Sequence, residues 1–244
     1  MSKLKRRFVT VLLLFIVAST SYLFGWSQVF TVKSIAFTGV NAAEEELVIK
    51  RIQYQPAVVQ IGAPLARVDK RVVSNRISEL NWIKSVSVKR NWISKAIQIG
   101  IAKRTPIAVI KNSGGRTFID DQMEIFIIPT DGQLPSEMAN LPELMLNDRS
   151  PLSLAAFDQL HRGISAVEPA QINAKEMTVQ SYLVNSPAYL LTTLVIDGRS
   201  LKITWGGSQD LPLKIKVLRE LLLLPENAKI VRMDLTTPLS PIVK

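Results

Sequence analysis

The chain has 244 residues, of which 47% are hydrophobic and 20% charged, and thirty Lys and Arg against twenty Asp and Glu give a net charge of +10. That balance is globular, and the length beyond an apolar N-terminal stretch suffices for one large domain or two of ordinary size. Cysteine is absent, which excludes a disulfide scaffold, thiolate catalysis and cysteine-ligated metal.

The first element is Phe8 to Trp26, preceded by Lys3, Lys5, Arg6 and Arg7, with no further charge until Lys33. About 19 helical residues at about 1.5 Å each span roughly 28 Å, the hydrocarbon thickness of a bilayer. A helix also satisfies its own backbone there. The basic cluster keeps its side cytoplasmic, so residues 1–7 read as a short cytoplasmic tail, 8–26 as a spanning helix, and the rest as translocated. A cleaved signal peptide would use Ala18-Ser19-Thr20. However, Tyr22, Leu23, Phe24 and Trp26 continue past that point and suit the membrane interface, with Trp26 as an anchor residue. A retained anchor in contact with lipid is the expectation. Four of the ten net charges belong to the tail. The other six are read as an ordinary basic surface rather than a nucleic-acid footprint, because an exported chain rarely meets nucleic acid.

After a connector at 27–31, residues 32–39 alternate like a strand closed by Gly39. Asn41 and Glu44 form a capping-box pattern for a helix reaching about Ile52, with Leu47, Val48 and Ile52 inward. Asp69 is a good N-cap for a second helix with Val72, Val73, Ile77 and Leu80 on one face. Strands follow at 85–89 and 97–101. This β-α-α-β-β order packs two helices on one face of a three-stranded sheet.

Thr105-Pro106 marks a junction, giving a first domain at 32–105 and a second at 106–244. In the second, Gly114-Gly115 is a turn into a strand at 116–120, residues 124–128 form another, and Pro129 to Pro142 is loop-rich ahead of Leu144-Met145-Leu146. Ser150-Pro151 opens a helix carrying Leu154, Phe157, Leu160 and Ile164. Residues 190–205 form a hairpin turning at Asp197-Gly198, the pair favoured in a type I′ turn. Asp210 caps a helix with Ile215, Leu218, Leu221 and Leu222 inward, ended by Pro225, and a last strand covers Lys229 to Leu235. The expected class is α+β: one transmembrane helix, the β-α-α-β-β domain, and a mostly antiparallel β-rich domain with helices.

Several stretches resemble the FtsQ/DivIB family of bacterial division proteins, whose first extracytoplasmic domain is a POTRA domain. They are Val32 to Ile35 ahead of Phe37-Thr38-Gly39, Leu80-Asn81-Trp82 through Arg90-Asn91-Trp92, and Ile99-Gly100-Ile101 through Pro106-Ile107-Ala108. The likeness continues through Phe118-Ile119-Asp120, Leu141-Pro142-Glu143-Leu144, Trp205-Gly206-Gly207, the helix holding Lys214, and Met233-Asp234-Leu235. The family usually has Leu-Pro-Trp and Trp-Pro where this chain has Leu80-Asn81-Trp82 and Trp92-Ile93. Losing both prolines removes two turn constraints.

Candidate chemistry is sparse. His161 is the sole histidine, and Asp158 and Ser165 lie near it without a G-x-S-x-G turn. Asp120, Asp121 and Glu124 lack the EF-hand spacing and read as a solvated turn. No catalytic, cofactor-binding or metal residue is assigned, and the expectation is a non-enzyme without cofactors.

Binding remains. A sheet edge carries unpaired N–H and C=O groups that take up a partner strand, and the last strand is the natural candidate. That strand offers Lys229, Val231 and Met233 to a partner if it lies at an edge rather than paired inside the sheet, and the resemblance implies that this region binds FtsB and FtsL, with Leu235, Thr236 and Thr237 in the contact region. Pro238 and Pro241 cannot donate to a ladder and should limit pairing beyond Thr237. The POTRA sheet edge is a second possible docking surface. The implied protein is a single-pass inner-membrane scaffold at the division septum, N-terminus cytoplasmic and C-terminal domain periplasmic, without small-molecule substrate. The alternative is a POTRA-bearing transport or chaperone component of the envelope.

Overall fold

The computed structural model describes residues 3–25, 28–111, 117–129 and 138–244. Two compact units divide it, Met1–Arg104 and Thr105–Lys244. The sequence expectations for Trp26, for the Gly114-Gly115 turn and for much of the 129–142 loop fall outside the described residues.

In the first unit, helix α1 spans Lys3–Gly25. Its window Lys5–Leu23 is apolar, long enough to cross a bilayer and buried nowhere. The Thr10 and Thr20 hydroxyls donate to the carbonyls of Arg6 and Ile16 one turn back, so those polar groups are satisfied within the helix itself. Strand β1 is Ser34–Thr38, α2 Ala42–Gln53, α3 Lys70–Ser78, β2 Ile83–Asn91 and β3 Ala96–Lys103. Strand order is β1-β3-β2, with β1 parallel and β2 antiparallel to β3. Val48 and Ile52 of α2 and Val73 and Ile77 of α3 are buried, as are Ile97, Ile99 and Ile101 of β3. The capping box at Asn41 and Glu44 forms in both directions, and the buried Glu44 carboxylate also accepts from Lys103 Nζ at 3.0 Å. Gly39 has φ +88°, and a Cβ there would stand 2.0 Å from the Ile101 carbonyl oxygen, so only glycine lets the chain leave β1 this close to β3.

Both hairpin strands run longer than the sequence reading, and local bonds stand in for the two missing prolines. Asn91 Oδ1 accepts from the N–H of Ile93 and Ser94 at 3.1 and 3.0 Å, an Asx turn that fixes the β2–β3 loop. The Asn81 and Trp82 carbonyls accept from the Arg104 side chain and backbone, fixing the other site.

The second unit holds β4 Pro106–Ile110, β5 Thr117–Asp120, β6 Ile125–Ile127, β7 Glu143–Leu146, α4 Pro151–Ser165, β8 Met177–Ser186, β9 Tyr189–Ile196, β10 Arg199–Gly206, α5 Leu211–Leu223, β11 Arg232–Asp234 and β12 Ile242–Val243. They form a nine-stranded sheet ordered β12-β11-β10-β9-β8-β7-β4-β5-β6. Most pairs are antiparallel, while β4–β7, β7–β8 and β10–β11 are parallel. The fold is α+β. Pro106 does not merely separate the units but starts β4, a position where proline costs no ladder bond. The turn at Asp197-Gly198 has positive φ at both residues, as a type I′ turn requires. Phe157, Leu160 and Ile164 of α4 and Leu211 and Leu218 of α5 share one buried cluster with Leu144, Tyr182, Val184, Leu194 and Trp205 from the sheet. Alternate residues on the same strands, such as Leu191, Thr193, Lys202 and Thr204, are half-buried or exposed.

Candidate partner-binding surface

From sequence, residues 229–235 are either an edge or a paired interior strand, and the structure has the interior arrangement. Residues 232–234 form an interior strand with β10 on one side and β12 on the other. Met233 pairs with Ile203 and Val243, and Asp234 with Thr204 and Ile242. The cause is a chain reversal. Ser240 N–H donates to Thr237 O at 3.0 Å, with Pro238 inside that turn and Pro241 directly after it. Residues 242–244 then return along β11.

The six candidate residues divide into two sets. Met233 and Leu235 are buried in the core, whereas Lys229, Val231, Thr236 and Thr237 are exposed. Backbone direction explains the division of hydrogen bonds. Lys202 N–H donates to Val231 O at 3.0 Å and Leu235 N–H to Thr204 O at 2.8 Å, so these groups are committed to β10. The N–H groups of Val231 and Arg232 instead donate outward to Lys244 O at 2.9 and 3.0 Å, and Lys244 N–H donates back to Arg232 O at 3.0 Å. Thr236 N–H is taken by Asp234 Oδ1 at 2.9 Å. The outward ladder of β11 is therefore closed by residues 242–244. Beside it, Leu191, Lys202, Thr204, Arg232, Asp234 and Ile242 line a shallow depression across β9 to β12.

Two features the sequence reading passed over hold this end of the sheet. Lys214, on the buried side of α5 and 3% exposed, donates from Nζ to Trp205 O at 2.6 Å and Gly207 O at 2.9 Å. Burial lowers its pKa, while Asp210 and Asp234 pull it back up. A cation in the first turn opposes the helix dipole, so its placement answers to those two carbonyls. Between them, Gly206 has φ +66°, and a Cβ there would lie 2.9 Å from Thr236 Cγ2. The signal in the sequence was a lysine on the same helical face as Leu211 and Leu218. Asp210 makes no side-chain cap; its carbonyl accepts from Lys214 N–H at 3.0 Å, because its left-handed backbone turns the carboxylate aside.

The residues weighed for chemistry have structural partners. His161 Nδ1 lies 3.0 Å from Tyr182 Oη, and its ring packs on Phe157 and Tyr182. Burial lowers its pKa, with Asp158 acting in the opposite direction. Asp120 is fully buried rather than solvated, and its Oδ1 accepts from the N–H of Gln122 and Glu124, both at 2.9 Å. It closes the β5–β6 turn. Among the described residues no group of three or more His, Asp or Glu side chains is placed to hold a metal ion.

The first unit is the one that comparison with known families recognises: residues 30–104 match the POTRA domain, FtsQ-type. Similarity to curated proteins extends further. A cell division protein FtsQ of Streptomyces venezuelae is 29% identical over 191 residues, 76% of this chain and 65% of that protein. One from Mycobacterium bovis is 25% identical over 243 residues, 99% of this chain and 69% of that protein. A third, from Salinibacter ruber, is 22% identical over 196 residues, covering 80% and 73%. The chain thus spans about two thirds of the length of the first two. Residues 30–104 thus form a POTRA domain of the FtsQ type after an apolar helix, and the chain as a whole is similar to cell division proteins named FtsQ.

Proposed function

We propose that this protein is a single-pass, non-enzymatic scaffold of the bacterial division site that recruits FtsB and FtsL through the β11 end of its second unit. Its N-terminus lies in the cytoplasm and the residues beyond α1 on the periplasmic side, the orientation that Lys3, Lys5, Arg6 and Arg7 favour. The observation that carries the docking mode is the outward ladder of β11, whose N–H and C=O groups are occupied only by residues 242–244. A partner strand of five or six residues offers more backbone bonds than that short return does. It takes the place of β12 and runs along residues 229–237. The exposed side chains of Lys229, Val231, Thr236 and Thr237 then supply selectivity, while Met233 and Leu235 keep the strand seated in the core.

The test contrasts two substitutions at Arg232, whose side chain is exposed and whose N–H points outward. Arg232→Ala keeps the donor, and Arg232→Pro removes it, giving up in the free protein only the bond to Lys244 O in the short β12 closure. Capture of the FtsB–FtsL pair by the full chain should survive the first and fall at least tenfold with the second, with the unfolding midpoint of Arg232→Ala close to wild type and the stability of Arg232→Pro lowered by about 1 kcal/mol, one hydrogen bond. Equal capture by both variants refutes strand addition here. Leu235→Pro does not serve, because it breaks the bond to Thr204 O inside the fold.

A further inference from the structure

Beyond the N-terminal basic cluster, the excess of positive charge is confined to one part of the chain. Residues 28–104 contain thirteen Lys and Arg against five Asp and Glu, whereas residues 105–244 contain thirteen against fifteen. The basic unit is the one joined to α1, with only residues 26 and 27 between Gly25 and the 3-10 turn Gln28–Phe30.

Hydrogen bonds gather two loops at the point where the chain enters this unit. Val32 N–H donates to Ala63 O at 2.9 Å, Gly62 N–H to Val32 O at 2.8 Å, and Lys33 N–H to Lys95 O at 2.8 Å. Phe30 packs edge-to-face on Trp92 with ring centroids 5.9 Å apart. The loop at 61–64 and the hairpin turn at 92–95 therefore lie at the anchor end of the β1-β3-β2 sheet. Each presents a bare aliphatic tip, Ile61 at 60% exposure and Ile93 at 96%. Lys33 is exposed where the two loops meet, and Lys95 lies two residues past Ile93 in the turn. The one carboxylate on this stretch, Asp69, is engaged by the N–H of Arg71 at 2.8 Å.

A single exposed isoleucine on a soluble protein means little. Two of them on separate loops, drawn to the anchor end among cations, have the makeup of an interfacial lipid contact. Apolar groups enter the headgroup–acyl boundary while Lys and Arg meet phosphate. We infer that the Ile61 and Ile93 loops of the POTRA domain dip into an anionic bilayer surface beside α1, forming a second membrane contact that fixes how this domain stands on the membrane. This rests on α1 spanning the bilayer.

The chain has no cysteine, so single labels report cleanly. The full-length protein is placed in nanodiscs containing phosphatidylglycerol, with an environment-sensitive fluorophore at Leu14→Cys, Ile93→Cys or Ser85→Cys and a lipid-borne quencher. Leu14 lies in α1, and Ser85 near the opposite end of β2 from the 92–95 turn. The label at 93 should shift to the blue and lose most of its emission to a shallow quencher, the label at 14 to a deep one, and the label at 85 to neither. A label at 93 that behaves like the one at 85 while the label at 14 is quenched overturns the second contact and leaves the anchor standing. No quenching at 14 overturns the anchor reading and the inference with it. Quenching at 93 that is equally strong in wholly phosphatidylcholine discs overturns the role of anionic lipid. Finally, Ile93→Glu, at a nearly fully exposed turn position, should reduce quenching of a label at Ile61→Cys several-fold; an unchanged signal contradicts insertion of the two loops together.

Discussion

Lys214→Met tests how the β10–α5 corner is held. The substitution keeps an unbranched side chain of similar length, so no large cavity opens, but it removes the donor to Trp205 O and Gly207 O. Each ammonium–carbonyl bond contributes about 1.5–3 kcal/mol, and a carbonyl left buried without a partner costs about 1–3 kcal/mol. Relief from burying the charge offsets part of that loss. A net destabilisation of ~2–4 kcal/mol is expected, which for a unit of this size lowers Tm by roughly 6–14 °C. Urea titration of the full chain, followed by hydrogen exchange of peptides spanning 201–218, reads the second unit separately from the first. Lys216→Met, on the exposed side of the same helix, is the control and should stay within about 0.5 kcal/mol of wild type. If Lys214→Met is as stable as Lys216→Met, the two carbonyl bonds do not hold the corner.

Three further outcomes follow from the same geometry. Gly206→Ala meets both a left-handed backbone and Thr236 Cγ2 at 2.9 Å; it should cost ~1–3 kcal/mol and speed amide exchange across residues 232–237. Asp120→Ala removes a fully buried acceptor of two backbone N–H groups that close the β5–β6 turn, so a loss of ~1–3 kcal/mol in urea denaturation is expected, and a loss below about 0.5 kcal/mol contradicts its turn-closing role. The folded-state pKa of His161 lies below its ordinary value because burial disfavours the imidazolium. Its contribution to stability is therefore complete above about pH 6.5 and is lost as pH falls through the depressed folded value. The urea midpoint of wild type should drop between neutral and mildly acidic pH, and that part of the drop should vanish in His161→Gln.

Elements specified by local sequence were legible in advance. The capping box at Asn41 and Glu44, the Asp69 and Ser150 caps, and the Asp197-Gly198 turn all form as read, because each is decided within a few residues. What escaped was decided by distant chain. Strand β4 begins on a proline that reads as a break, and β12 is only two residues long. Without β12, residues 229–235 look like a free edge; with it, β11 is interior and the candidate surface is closed by a short strand. Lys214 was visible only as a residue of the helix, since its carbonyl partners lie at the end of β10 and just past it. The exposed tips Ile61 and Ile93 carry no periodic signal, and their shared position follows from tertiary pairing with residues 32 and 33.

The central claim is that a partner strand takes the place of β12 on β11, and hydrogen exchange of the Val231, Arg232 and Lys244 amides with and without the FtsB–FtsL pair tests it most directly. On displacement, Val231 and Arg232 stay protected or become more so, while Lys244 loses the protection that its bond to Arg232 O provides. If the pair binds and all three amides exchange as they do in the free protein, the partner docks elsewhere and the account of this edge is wrong.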